Sequence, residues 1–358
     1  MKAHVVVALS GGVDSAVAAA LLQEQGYRVS GLFMKNWEDF DTPTFCPSAV
    51  DYESARAVAE LLEIPLHAAN FSADYRTRVF ERFLADCAAG LTPNPDVLCN
   101  REIKFDVFWH HVRALGADLM ATGHYARVAI TDGQHRLLTG RDPDKDQSYF
   151  LHTIDPHILP YALFPIGVFC KAEVRAKARS LGLGNSDRKG SSGICFIGEH
   201  HFKPFLERYL KGEPGPIYTP DGVLKGRHEG LMFYTIGQRQ GLGIGGPGGA
   251  WYVAQKRRAD NALIVVQGAE HPFLYRKECE TTAPQWLGAP PPLPWQGHAK
   301  IRYRQEAQPV RVEEDVKNGL RLRFHSPQRA ITPGQSAVFY EGPVCLGGAV
   351  IRDENEGP

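Results

Sequence analysis

No run in this chain is apolar for long enough to span a bilayer, and no Cys-x-x-Cys pair occurs in it. The first absence excludes a membrane-spanning helix. The second, with seven scattered cysteines, argues against both a disulfide framework and a structural zinc site. Net charge is missing too, since 40 Lys and Arg balance 40 Asp and Glu. No global basic field therefore advertises nucleic acid, and a polyanionic partner has to be held by local patches. The chain opens on a charged residue and a strand, so no signal peptide, a cytoplasmic setting and no membrane partner are the expectations. What remains is a globular composition, 43% hydrophobic and 22% charged, over 358 residues. That length exceeds one ordinary core and predicts two or three domains.

Up to about residue 125, short apolar runs alternate with helical periodicity, which predicts an α/β unit: a Rossmann-like parallel sheet with helices on both faces. Strands are expected at residues 4–9, 28–34, 66–69 and 118–122. Helices are expected at 14–25, 52–62, 74–89 and 101–115, the last two separated by the proline-broken stretch 92–96. A hairpin around Asp132-Gly133 follows, then a charged loop at 141–149 and helices at 172–181 and 200–210. Short glycine-rich strands fill 211–270. The run Gly241 to Gly246 lacks the strand–helix setting of a dinucleotide fingerprint and reads as a mobile loop. After a proline-rich connection at 284–294, short strands at 299–304, 310–313, 320–324, 336–340 and 347–351 predict a small antiparallel β-barrel. The expected units are a catalytic domain over 1–205, a small linker module over 206–275 and a barrel over 276–358.

Three stretches carry chemistry. Ser10-Gly11-Gly12-Val13-Asp14-Ser15 joins the first strand to the first helix, where glycines let backbone amides approach a phosphate at a helix start. No Gly-Lys-Ser/Thr follows, so it is not a Walker A loop. A bare cap on Ser10 would not call for paired glycines, an aspartate and a second serine together. Cys99 stands just ahead of the helix expected at 101–115, where the helix dipole favours a thiolate, and Asp96 lies close enough to exchange a proton with it. Cys195 sits beside the flexible Gly190-Ser191-Ser192-Gly193. Cys87, Cys279 and Cys345 read as structural, and Cys46 and Cys170 stay undecided. His110 and His111 are adjacent on a helix and cannot share a metal. His124 follows Gly123 at a strand's carboxyl end and reads equally as a substrate contact or a hydrogen-bonded turn residue. Lys300, Arg302 and Arg304 alternate along a probable strand, as a phosphate-facing row or a solvated outer face.

The loop resembles that of ATP pyrophosphatases, and nearly the whole chain resembles the tRNA-specific 2-thiouridylases. The residues carrying the wider resemblance are Phe33-Met34-Lys35-Asn36-Trp37, Asn94-Pro95-Asp96 with Cys99-Asn100, Ala121-Thr122-Gly123-His124-Tyr125 and Lys145-Asp146-Gln147-Ser148. It continues through Gly193-Ile194-Cys195-Phe196, Thr235-Ile236-Gly237-Gln238-Arg239 and Pro327-Gln328-Arg329-Ala330. The resemblance implies ATP-dependent 2-thiolation of the wobble uridine of tRNA, with release of AMP and pyrophosphate. It implies ATP contacts from Ala8, Leu9, Ser10, Gly11, Gly12, Val13, Asp14, Ser15, Met34 and Gly123, with Mg2+ brought by the nucleotide and no permanently bound cofactor or metal. Asn94, Pro95 and Asp96 would meet the target base. His124, Lys145, Asp146, Gln147, Arg302, Tyr303 and Gln335 would touch tRNA. Cys99 would be the nucleophile and Cys195 the persulfide carrier, the two closing a transient disulfide, with sulfur delivered by a donor protein. Asp96 is expected to act as general acid and base. Two departures stand out: Ala8-Leu9 precedes the loop where the family more often has Gly-Met, and Lys189-Gly190-Ser191 stands where Asp-Ser is commoner. The alternatives are another pyrophosphate-loop synthetase acting on a small molecule and an RNA-binding protein without catalysis.

Overall fold

Strand β1 (His4–Ala8) shows the alternation that organises the first unit. Val5, Val7 and the following Leu9 join a packed cluster on one face of the sheet, and Val6 and Ala8 join another on the opposite face. A strand buried on both faces belongs at the centre of a parallel sheet, and β1 pairs in parallel with β2 (Arg28–Lys35) and, on its other side, with β4 (Leu119–Ala121). β3 (Leu66–Asn70) extends the sheet beyond β2, and the short strand Ala162–Leu163 extends it beyond β4. The strand order therefore reverses between β1 and β4, and the loops leaving their carboxyl ends face one crevice. The computed structural model describes residues 2–39, 47–186, 202–315 and 318–353.

Helix α1 (Val13–Glu24) leaves β1 through the glycine loop and ends where Gly26, at φ +82°, turns the chain. Its last carbonyls are met by Gly26 N and Tyr27 N, which donate to Gln23 and Leu22. Residues 72–88 form one helix with an i→i+5 segment at Arg76–Phe80. Residues 95–114 form another, wound the same way at Cys99–Val107. The expected start near residue 101 is thus corrected to Pro95. A proline lacks only an N–H that the first helical position does not use, so it begins this helix rather than breaking it.

The hairpin is present as Ala126–Thr131 and Gln134–Thr139, with Asp132 and Gly133 at φ +52° and +73°. It does not stay with the parallel sheet. Leu138 pairs with Val344, so the hairpin extends the C-terminal antiparallel sheet. That sheet runs through Tyr275–Glu280, Gly319–Arg329, Gln308–Asp315, Trp295–Lys300, Ser336–Glu341 and Val344–Val350. A bridge between Thr281 and Ile351, beside the bond from Thr282 N to Val350 O, joins its first strand to its last and closes the barrel. Trp295, Val310, Val312, Leu322 and Phe339 fill it. Between the two units stands a four-stranded sheet of Trp251–Arg257, Ala262–Gln267, Gly215–Tyr218 and Leu224–His228. The three units share one core, because the cluster that holds Val6, Phe83 and Cys99 also takes in Leu231, Val253 and Val338. Among the described residues no helix is long and apolar enough to cross a membrane.

His152, 1% exposed, donates from Nδ1 to the Tyr149 carbonyl at 2.7 Å, and burial pushes its pKa down to about 4. Between pH 6.5 and 4 the unfolded chain takes up a proton that the folded one refuses, so stability is complete above 6.5 and falls as pH drops, by about 3 kcal/mol from this residue. His124, His4 and His228, all lowered first by burial, act in the same direction. Urea midpoints measured from pH 7.5 to 4.5 are expected to show this slope, and His152→Phe to flatten it.

Candidate active site

The glycine loop presents an uncapped helix start. Gly12 takes the N-cap position of α1 in an extended conformation with no side-chain cap, leaving the first-turn amides to an anion. Inside the loop, Ser10 N donates to Ser15 Oγ at 3.2 Å and Ser15 Oγ donates to Gly12 O at 3.1 Å. Gly11, at φ +74°, has its carbonyl fixed by Ser54 Oγ at 2.8 Å and Asn185 Nδ2 at 2.9 Å. Gly123, from the loop after β4, presses on the same helix start; a Cβ there would lie 2.7 Å from Ser15 N and 2.8 Å from Asp14 C. Ala8, Leu9 and Val13 are buried beneath the loop, and half-buried Met34 packs at the edge of the core that holds Cys99. The Asp14 carboxylate accepts from Tyr125 OH at 2.8 Å and from Lys171 Nζ at 2.6 and 2.7 Å. Burial and Asp14 together raise the Tyr125 hydroxyl pKa, so it stays a donor.

The second part of the site is the first turns of the helix over 95–114. Asn94 caps it, its Oδ1 accepting from Asp96 N at 3.2 Å, and Pro95 is the first helical residue. Asp96 is half-buried, and burial outweighs Lys104 to hold its carboxyl above the usual range. Cys99 is buried at 3% exposure and lies inside the helix, not ahead of it, so the dipole at the helix start acts on Asp96 more than on the thiol. Asn100 donates from Nδ2 to Phe150 O at 3.1 Å, and its buried Oδ1 accepts from no described residue. Further along, Phe105 packs on His124 with ring centroids 6.0 Å apart. His124 is 8% exposed, its Nδ1 lies 2.7 Å from Thr122 Oγ1, and burial with Lys104 holds it neutral, well below the usual histidine range. The helix carrying Asp96 and Cys99 thus meets the loop carrying Gly123. Cys195 and Cys46 lie outside the described residues. Burial pushes Cys87 and Cys345 up to about 12, which suits inert thiols, and Cys279 is 2% exposed. Cys170 is the N-cap of the helix Lys171–Ser180.

Most of the residues expected to touch tRNA join the units to one another. Asp146 is 5% exposed and accepts from Gly140 N at 3.0 Å, Ser148 N at 3.1 Å, Ser148 Oγ at 3.0 Å and Lys300 Nζ at 3.0 Å. Gln147 and Tyr125 exchange two bonds, Tyr125 N to Gln147 Oε1 at 3.0 Å and Gln147 N to Tyr125 O at 2.8 Å. Arg302 Nη2 donates to Ile236 O, Ala330 O and Thr332 Oγ1 at 2.8–3.1 Å. Gln335 Nε2 donates to Thr92 O at 2.7 Å. Tyr303 is half-buried, 4.5 Å from the Phe150 ring, with Arg304 over it at 5.3 Å. Lys145 N donates to Asp142 O at 3.1 Å, and its ammonium meets no acceptor among the described residues. The row of three cations is corrected as well. The strand ends at Lys300 and Arg304 has φ +65°, and the three side chains meet different partners: Lys300 the Asp146 carboxylate, Arg302 the Ile236 carbonyl and Arg304 the Tyr303 ring.

Family models match the chain in sequence: a tRNA methyl transferase HUP domain at residues 3–199, a tRNA methyl transferase PRC-barrel domain at 203–267 and an aminomethyltransferase beta-barrel domain at 276–351. A tRNA-specific 2-thiouridylase MnmA of Nitrosomonas eutropha is 54% identical over 98% of this chain and 99% of its own length. Another, from Methylococcus capsulatus, is 54% identical over 98% and 96%. The chain belongs to the tRNA-specific 2-thiouridylase family. A solved 4-thiouridine synthetase in complex with RNA and ATP matches 57% of this chain and 50% of its own at 18% identity, with a TM-score of 0.37, too slight to carry an argument.

For a member of the 2-thiouridylase family, one contact here was not legible as a motif. Lys171 is 157 residues from Asp14 yet binds both its carboxylate oxygens. Its one sequence signal is a lysine opening a helix, where the dipole disfavours a cation, and such a conflict marks a residue held for another reason. Among the described residues no three His, Cys, Asp or Glu side chains gather as a metal site.

Two outcomes follow from this geometry. Asp146→Ala strands the Lys300 ammonium in a buried joint and is expected to cost about 3–5 kcal/mol in urea unfolding. Gly123→Ala drives a Cβ into the amides of the glycine loop and is expected to weaken ATP binding about tenfold or more by titration calorimetry, with little change in tRNA affinity.

Proposed function

We propose that this chain is a tRNA-uridine 2-sulfurtransferase that thiolates the wobble uridine at the expense of ATP. The observation that carries this reading is a single helix presenting Asn94, Pro95, Asp96 and Cys99 in its first turns. That helix packs through Phe105 on His124, beside Gly123 and the open start of α1. A base in an anticodon loop is drawn out of its stack at small cost, and Asn94, Pro95 and Asp96 form the pocket that receives it. The buried Oδ1 of Asn100 offers an acceptor there to a base N–H.

The loop amides hold the departing phosphates while the uracil O2 attacks the α-phosphorus of ATP. The new O–P bond replaces the bond to pyrophosphate, which leaves with the electron pair. Asp96, its carboxyl already raised by burial, takes the N3 proton and returns it when AMP departs. Sulfur enters from a persulfide on Cys195, loaded by a donor protein. Either its outer sulfur attacks C2, the C2–O bond breaks toward AMP, and the Cys99 thiolate then attacks Cys195 Sγ and breaks its bond to the transferred sulfur; or Cys99 attacks Cys195 Sγ first and releases hydrosulfide, which attacks C2 as the C2–O bond breaks toward AMP. In both routes Cys99 and Cys195 end as a disulfide. A dithiol reductant reopens it. Asp14 is the loop carboxylate that would hold Mg2+ carried by the nucleotide, and the metal would neutralise charge on the departing phosphates.

Incubation with ATP, a persulfide donor and unmodified tRNA is expected to give 2-thiouridine in the digested tRNA, with one AMP and one pyrophosphate for each. Cys99→Ser and Cys195→Ser abolish the product, and Asp96→Asn slows it about 100-fold. Neither thiolated nucleoside nor AMP would overturn the enzyme reading, and AMP formed without tRNA would favour a small-molecule synthetase.

A further inference from the structure

The stretch joining the helix over 72–88 to the helix over 95–114 contains Thr92-Pro93-Asn94-Pro95. Each proline fixes its own φ and pushes the residue ahead of it out of the helical region, so four successive residues have little conformational freedom. The far end of this stiff segment is the Asn94 cap and, two residues on, Asp96. Its near end is gripped by both of the other units. Lys256, from the central strand Trp251–Arg257 and 7% exposed, donates from Nζ to Gly90 O at 3.1 Å and Thr92 Oγ1 at 3.2 Å. From the barrel side, Thr92 N donates to Pro333 O at 3.0 Å, and Gln335 Nε2 donates to Thr92 O at 2.7 Å. Gly334 lies so close that a Cβ would stand 2.8 Å from Thr92 N. The amide, the carbonyl and the hydroxyl of Thr92 are thus all held from outside its own unit.

Lys256 is a costly way to make two bonds to neutral oxygens. Burial opposes its charge, and a methionine of the same length would escape that cost. A residue that conflicts with stability in this way is a candidate for a functional role.

We propose that residues 92–95 are a rigid strut through which the central module and the barrel set the placement of Asn94 and Asp96, with Lys256 as the positioning residue at its anchored end. The proposal rests on reading Asn94 and Asp96 as the base pocket. By this route a tRNA seated on the barrel and the module finds the pocket aligned with them.

Lys256→Met and Pro93→Ala in the full chain test it, one loosening the anchor and the other the strut. For each we expect a Tm close to that of the unsubstituted protein, or higher for Lys256→Met. We also expect kcat for 2-thiouridine formation to fall about tenfold, with KM for tRNA and ATP within about twofold. Hydrogen exchange over residues 96–99 is expected to be about tenfold faster in both, and the double variant no worse than the worse single one. Unchanged exchange in both variants would overturn the strut. So would losses that multiply in the double variant and track a fall in Tm. Faster exchange with full kcat would overturn the positioning role. An unsubstituted protein that makes no 2-thiouridine would overturn the functional reading while the exchange data still report on the strut.

Discussion

A buried carboxylate at the joint of two units underlies the geometry of the active-site edge. Asp146 takes its donors from the hairpin end, from its own turn and from Lys300 of the barrel. The next residue, Gln147, is locked to Tyr125 by a reciprocal pair of bonds, and Tyr125 reaches Asp14 in the glycine loop. A continuous polar chain therefore runs from the barrel to the phosphate loop through residues that the family resemblance assigns to tRNA. Every link is short and most of it is removed from water, where such bonds are strong if complete and costly if broken. The side chains that the resemblance assigns to tRNA are thus the ones that hold the joint, and a loss of binding on substituting Asp146 or Arg302 does not by itself identify a contact.

The same logic explains what could be read in advance and what could not. The strand–loop–helix at residues 4–25, the hairpin at Asp132-Gly133 and the antiparallel strands after residue 297 rest on local signals: β-branched runs, paired glycines, turn residues at short spacing. The loop, the hairpin and the strands at 310–313, 320–324 and 336–340 lie where those signals put them, whereas the strand expected at 299–304 runs over Trp295–Lys300. The helix start at Pro95 was missed because a proline pair reads as a break, whereas a proline at the first helical position is compatible with the helix. The row Lys300, Arg302, Arg304 was misread because alternation has meaning only while the chain stays extended, and it leaves the strand at Lys300. The joining of the hairpin to the barrel, the Lys171 contact with Asp14 and the Lys256 grip on Thr92 all span more than a hundred residues. Periodicity carries no information at that distance.

The winding of the second helix ties these placements to chemistry. From Cys99 to Val107 the backbone bonds run i→i+5, a geometry concentrated at functional positions because it is less favourable than the ordinary helix. Lys104 lies within this segment. Its charge reaches both Asp96 and His124 and lowers both, favouring an ionised carboxylate and a neutral imidazole. At His124 burial acts in the same direction and the ring is firmly neutral. At Asp96 burial acts against the lysine and prevails, leaving a carboxyl whose affinity for a proton is raised while a cation stands within reach of its ionised form. The proton exchange proposed for Asp96 calls for that balance: affinity enough to take a proton, and a nearby cation to favour its release.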